Sequence, residues 1–455
     1  MTGGLIALAS FIVAIALLVA VHEFGHFYAA RRLGIQVLRF SIGFGRPLWS
    51  RHGRDGVEYV IGALPIGGYV KFLDERDADG PLERPERAFN RAAPWRRAIV
   101  LVAGPAANLL FAVAAYWAIL VSGIPGERAV IGEVVAGSAA AAAGLRRDDE
   151  VVAVGGVAVG SWGEVSIGLL DAVLAGERSV PLTVRGAEGA PQAARIALED
   201  GFGLTEPGAM LERLGLRPWS YAMLEPVIGR VVPDGAAARA GLEVGDRFTT
   251  FDGAPVAEWG DVARSIHERP GRTVVLVVMR KGMATQATVE VKSVEVRGHP
   301  VGFIGIEPQG AQALRDRLSF ERRFGLVEAA PEAVRRTYDL SVLTVKMIGR
   351  MLTGGASLAN ISGPINIAQY AGATASLGMT QFLGFLAVIS LSLGVLNLLP
   401  IPILDGGQLA FLAVETAMGR PVTPGLELAG QQVGIVLLVG LMGLAFYNDV
   451  VRLIG

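Results

Sequence analysis

Four stretches of this chain carry no charged residue over lengths that match a lipid bilayer: Gly3–Val21, Ala98–Gly123, Leu377–Leu404 and Gly430–Tyr447. A bilayer core needs about 20 apolar residues of helix. Inside it every backbone N–H and C=O must be paired within the protein, so open-chain spans are helical. A cleaved leader is a poor fit for the first run, because no basic residue precedes it and Arg31 and Arg32 follow it. Residues 27–98 hold thirteen Lys and Arg. Basic connections stay on the cytoplasmic side. This sets residues 27–98 in the cytoplasm, and the N-terminus, residues 124–375 and the C-terminus outside.

Composition agrees with a membrane protein that carries some soluble mass: 52% of the 455 residues are hydrophobic and 18% are charged. The net charge of −1 gives no electrostatic footprint for nucleic acid, and no nucleic-acid partner is expected. The absence of cysteine rules out disulfides and thiolate metal ligands. A fifth apolar stretch, Tyr338–Leu352, sets Lys346 and Arg350 four residues apart. That spacing reads as an amphipathic helix lying on a membrane or on the protein itself.

The segment after the second span repeats itself. The 34 residues from Gly132 align without a gap with those from Gly229, with 15 identities at an offset of 97. Gly144-Leu145 matches Gly241-Leu242, Asp149 matches Asp246, and Trp162 matches Trp259. The offset suits a duplicated small domain rather than a solenoid. Strand, short Ala-rich helix, Gly-Leu, acidic turn and second strand together resemble PDZ domains of the bacterial type. Asp148 stands where that family usually has Gly. Such domains bind peptides by adding a strand to a sheet edge.

At the end of the first apolar run stands VHEFGHF, Val21–Phe27. HExxH on a helix sets His22 and His26 on one face, the spacing of a zinc hydrolase, with Glu23 as general base. Ionisable residues beside a bilayer are costly and are functional candidates by default. A catalytic zinc takes three protein ligands and keeps one position open. The remaining histidines are His52, His267 and His299, and the last two lie in the repeated region. A carboxylate fits better, and NLLPIPILDGG, Asn397–Gly407, brings Asp405 to the depth expected for His22 and His26. Taken alone, Asp405 before Gly-Gly reads as a turn residue.

HEFGH together with NLLPIPILDGG resembles the site-2 protease family of intramembrane zinc metalloproteases. AGPAAN (Ala103–Asn108), GFG (Gly43–Gly45) and PIGGYVKFL (Pro65–Leu73) match hallmarks of that family. The tandem PDZ-like domains are similar to those of its bacterial regulator-of-sigma-E branch. The resemblance implies Zn²⁺ bound by His22, His26 and Asp405, with Glu23 as base. It also implies cleavage of single-span membrane proteins, either an anti-sigma factor trimmed by a first protease or remnant signal peptides, in a bacterial inner membrane. The PDZ-like domains would then exclude large ectodomains and bind peptide termini.

A helical substrate must be unwound before attack, and strand addition is one way to hold it. Val57–Leu64 and Gly68–Leu73 read as the arms of a hairpin near the site, and Asn397, Pro400, Gly67 and Gly68 are the substrate-binding candidates. Asn397 reads equally as a helix–helix hydrogen bond. Asn108 reads as packing against the first helix. The expected fold is a polytopic α-helical membrane protein with four spans, membrane-associated β-structure and two inserted PDZ-like α+β domains. Its expected parts are a first span (1–30), a β-containing loop (31–97), a second span (98–123) and PDZ-like domains at 124–220 and 221–312. An amphipathic helical segment (313–374), a third span (375–406), a loop (407–427) and a fourth span (428–449) complete it. A non-catalytic, membrane-anchored PDZ adaptor is the competing function.

Overall fold

The computed structural model describes residues 2–77, 82–186, 189–296 and 299–454. The chain divides into two compact units. The larger contains α1 (Thr2–Arg32), β1 (Val37–His52), β2 (Glu58–Phe72) and α2 (Pro94–Ser122), then α3 (Ala329–Leu352), α4 (Pro364–Leu377), α5 (Met379–Asn397), α6 (Asp405–Met418) and α7 (Pro424–Ile454). Four of its helices are long and apolar enough to cross a membrane: Gly4–Arg32, Pro94–Ser122, Met379–Asn397 and Gly425–Ile454. Leu5, Leu8 and Val13 of α1 and Val436 and Val439 of α7 are exposed. Water would penalise such faces by about 25 cal/mol per Å², and lipid removes that penalty.

Small residues let the helices approach closely. A Cβ on Gly25 would stand 2.2 Å from the Ala103 carbonyl oxygen, so α1 and α2 cross almost backbone to backbone there. Ala14, Leu18 and Leu386 fill the space between α1 and α5. Ala112, Leu391 and Val395 do the same between α2 and α5. The α3 helix starts nine residues before the amphipathic stretch read from sequence. Ala329, Ala333 and Thr337 form its buried stripe, against Tyr116 and Leu120 of α2. It therefore rests on the protein through its N-terminal half.

Hydropathy alone carries the third span through residue 406 and leaves 407–427 as a loop. The structure corrects both boundaries. The α5 helix stops at Asn397, because Pro400 and Pro402 have no N–H to continue the ladder, and α6 starts afresh at Asp405.

The hairpin expectation is also corrected. Val57–Leu64 and Gly68–Leu73 fall largely within β2 and do not pair with each other. The first half of β1 lies between them, with Phe40 opposite Val70 on one side and Tyr59 on the other. The second half of β1 folds back, Ser50 opposite Val60. Gly43 permits this crossing: its φ is +90°, and a Cβ there would sit 2.9 Å from the Gly62 carbonyl oxygen.

In the second unit one arrangement occurs twice. Ile131–Val134, Glu150–Val154, the helix Trp162–Ala175, Ser179–Arg185 and Pro191–Ala197 are followed by Leu216–Pro218, which pairs back onto the first strand. Ile228–Val231, Arg247–Phe251, the helix Trp259–His267, Thr273–Arg280, Met283–Glu290 and Ile306–Pro308 repeat that order. Each copy has a four-stranded antiparallel sheet over its own core, Leu169, Leu182 and Ile196 in one, Phe248, Leu276 and Val289 in the other. At the acidic turn the second copy uses Gly245 at φ +94° and the first uses Asp148 at φ +72°. Trp219 Nε1–H and Arg317 both donate to the Asp148 carboxylate at 2.8 Å, which offsets the steric cost of that conformation.

Candidate active site

The last turns of α1 and the first half of α2 face each other as two ladders of four-residue spacing. On α1 they present His22 and His26, and on α2 Val100, Gly104 and Asn108. His26 Nδ1–H donates to the Val100 carbonyl oxygen at 2.7 Å. Its ring lies on Gly104, where a Cβ would stand 2.2 Å from Nε2. One turn away, the Asn108 amide meets His22 Nδ1 at 3.2 Å. Asn108 is fully buried, and its backbone carbonyl accepts a 2.9 Å bond from Ser390 Oγ–H of α5.

Asp405 reaches the histidines from the first turn of α6. The loop 398–404 wraps tightly over that helix start, so the two residues after Asp405 must be glycine. A Cβ on Gly406 would lie 2.3 Å from the Leu398 carbonyl oxygen, and one on Gly407 2.1 Å from that of Ile401. The helix N-terminus favours a carboxylate at this position. Arg97 of α2 bonds Glu415 of α6 at 2.9 Å and ties the far part of the helix down.

Among the described residues, His22, His26 and Asp405 are the one group of three with the donor set for a metal. His22 Nε2 and His26 Nε2 are 3.2 Å apart, and they stand 3.2 and 3.4 Å from Asp405 Oδ2. Neither His–Asp contact has hydrogen-bond geometry, so Oδ2 is a buried acceptor with no donor. The Val100 bond holds the His26 proton on Nδ1 and leaves Nε2 a lone pair. Converging lone pairs repel unless a cation lies among them. A tetrahedral zinc ion, about 2.0–2.1 Å from each ligand, sets ligand atoms about 3.3 Å apart. The residues fit zinc.

Glu23, next to the first histidine, is buried, and β2 passes close beside it at Gly68. Gly68 allows that approach: a Cβ there would meet Val19 Cγ1 at 2.7 Å and Glu23 Cγ at 3.1 Å. Gly67 lies against the Phe44 ring, 2.4 Å from where its Cβ would be. The Asn397 amide is 3.5 Å from His22 Nε2. Pro400 is exposed on the loop 398–404. His22, Glu23, His26, Asp405, Asn397 and Gly68 thus converge, Gly67 stands one residue away, and Pro400 lies on the loop that leads into Asp405. Sequence reading gave no role at the histidines to Val100 or Ser390, and it read Asn108 as packing alone. The recurrence of 100, 104 and 108 was the available signal.

The profile of peptidase family M50 matches residues 10–441. The chain is 43% identical over 448 residues to "Regulator of sigma-E protease RseP" of Escherichia coli, covering 98% of each. It is 41% identical over 448 residues to the protein of that name from Salmonella typhimurium, again covering 98% of each. A Vibrio cholerae relative named as a zinc metalloprotease is 41% identical over 447 residues, with 98% coverage of both chains. This chain belongs to peptidase family M50, the site-2 protease family of intramembrane zinc metalloproteases.

Proposed function

We propose that His22, His26 and Asp405 hold the zinc of this protease and that Glu23 is its general base and acid. The observation that carries the reading is the convergence of three atoms of metal-ligating type, two imidazole nitrogens and a carboxylate oxygen, at 3.2–3.4 Å beside a buried glutamate. Zinc supplies Lewis acidity, polarising the scissile carbonyl and acidifying water. Glu23 takes one proton from the attacking water as its oxygen bonds to the carbonyl carbon. The same carboxylate returns that proton to the amide nitrogen as the C–N bond breaks. The Val100 carbonyl fixes the His26 ring.

The substrate is an unwound transmembrane segment of a single-span protein. It pairs with the outer edge of Gly68–Phe72, whose other side is already paired with β1. Gly67 and Gly68 keep that edge clear, and Asn397 and Pro400 border the path to the histidines. The relatives' names point to sigma-E regulation. The substrate is accordingly an anti-sigma factor already trimmed by a first protease, with remnant signal peptides as a further class. The two repeated domains are PDZ-like modules on the periplasmic side of the inner membrane, binding peptide termini and excluding bulky ectodomains. The basic connection between the first two spans sets the site near the cytoplasmic face. An adaptor without catalysis would have no use for the three converging lone pairs.

Purified full chain tests the metal assignment. His22→Ala and Asp405→Ala should each lose stoichiometric zinc and cleavage of a model transmembrane substrate. Zinc retained in either variant sinks the ligand assignment.

A further inference from the structure

We infer that Asn108 is a positioning residue for the metal ligand His22: its side-chain oxygen accepts the His22 Nδ1–H and thereby keeps the Nε2 lone pair aimed at the zinc. The inference rests on the proposed role of His22 as a ligand. It concerns a residue of α2 that touches neither substrate nor metal.

The two ring nitrogens of His22 have different neighbours. Nε2 faces His26 Nε2 at 3.2 Å and Asp405 Oδ2 at 3.2 Å. Nδ1 faces the Asn108 amide, which is placed with Nδ2 toward it at 3.2 Å. A neutral imidazole carries one proton, and the group bonded to one nitrogen decides which nitrogen that is. If the amide N–H₂ donates to Nδ1, the proton is forced onto Nε2, where it blocks a metal. If the amide oxygen accepts from Nδ1–H, Nε2 is free. The two ends of an amide have nearly the same shape and are exchanged by a half-turn. With the N–H₂ toward His22, Asn108 Oδ1 is buried with no donor, so no hydrogen bond opposes that half-turn.

The amide's location is fixed from two sides. Ser390 Oγ–H bonds the Asn108 backbone carbonyl from α5, and the Gly25–Ala103 crossing brings α2 against α1. The arrangement matches that of His26 one turn away, whose Nδ1–H donates to the Val100 carbonyl. After that half-turn each histidine has an acceptor on the same face of α2, a backbone oxygen for His26 and the amide oxygen for His22. Metal-ligating histidines almost always donate their second ring N–H to such a partner, and losing it typically costs about 10- to 100-fold in metal affinity or activity.

The test measures zinc affinity of detergent-solubilised full chain by chelator competition, with the ligand-field spectrum of the cobalt-substituted protein as a second readout. Asn108→Leu keeps the branching and the number of side-chain heavy atoms and removes the acceptor. It should weaken zinc by about 10- to 100-fold and shift the cobalt spectrum. Asn108→Asp supplies an oxygen that can only accept, and should bind zinc within a few-fold of the unsubstituted chain. A purely packing role predicts equal losses in both variants, and a donating amide predicts that Asp is the worse of the two. Either result overturns the inference, as does unchanged affinity in Asn108→Leu. Should Asn108→Leu fail to fold, Asn108→Asp decides alone. His22→Ala separates the levels: wild-type zinc affinity in that variant overturns the ligand assignment itself, whereas its loss alongside intact binding in Asn108→Leu overturns only the role of Asn108.

Discussion

Gly104 of α2 is the floor on which the His26 imidazole lies, with room for a hydrogen but not a methyl group, since a Cβ would stand 2.2 Å from Nε2. Gly104→Ala must therefore displace the ring from both the Val100 carbonyl and the cluster. Misplacement of about 1 Å commonly costs about 100-fold in rate. We expect zinc content to fall, and cleavage to fall by at least that order. Gly440→Ala, on another apolar helix and with nothing within 4 Å of the new methyl, should leave both unchanged.

Gly68→Val addresses the edge strand separately from the metal. The added side chain would press on the Ser41 carbonyl oxygen of β1, on Val19 and on Glu23 Cγ, shifting both the edge strand and the Glu23 side chain. Steady-state cleavage of a model substrate should show a loss in kcat/KM of about 10-fold or more, while zinc stoichiometry is retained. Loss of zinc in this variant would contradict the separation of the two functions.

How much of this could be read from sequence depended on spacing. HExxH fixed the shared face of His22 and His26 because a helix repeats every 3.6 residues. Asp405 was within reach of topology, since the first and third spans run in the same direction and bring both motifs, each at the C-terminal end of its span, to one depth. The ungapped repeat at an offset of 97 made the duplicated unit visible. The arrangement of the β-structure was not legible: glycine-rich segments specify register weakly, and the double pairing of Phe40 depends on the backbone crossing at Gly43 and Gly62. The break after Asn397 was masked because Pro400 and Pro402 sit in an otherwise unbroken apolar run. Asn108 looked like packing because its partner His22 lies 86 residues away in sequence.

Acid should act on the second repeated unit through Asp246. Its buried carboxylate receives Arg280 Nε–H and Nη2–H at 2.8 and 2.7 Å and the Glu243 amide at 2.9 Å. Burial works to raise its pKa, but the Arg280 guanidinium and the Glu243 amide outweigh this and hold it below the ordinary carboxylate value of 3.8. A lowered folded-state pKa gives stability that is complete above the unfolded value and fades as pH falls through the folded one. Thermal unfolding between pH 7 and pH 2 should show this loss beginning below about pH 4. Asp246→Asn should cost about 2–3 kcal/mol at neutral pH and flatten that part of the curve.

Glu23→Gln tests the central claim most directly, because the amide keeps the size and the buried position of the carboxylate but cannot shuttle a proton. Purified variant and unsubstituted chain are compared for zinc content and for cleavage of one model transmembrane substrate. The account predicts equal zinc and a loss of cleavage of at least about 100-fold. Cleavage at the unsubstituted rate with zinc in place would contradict it.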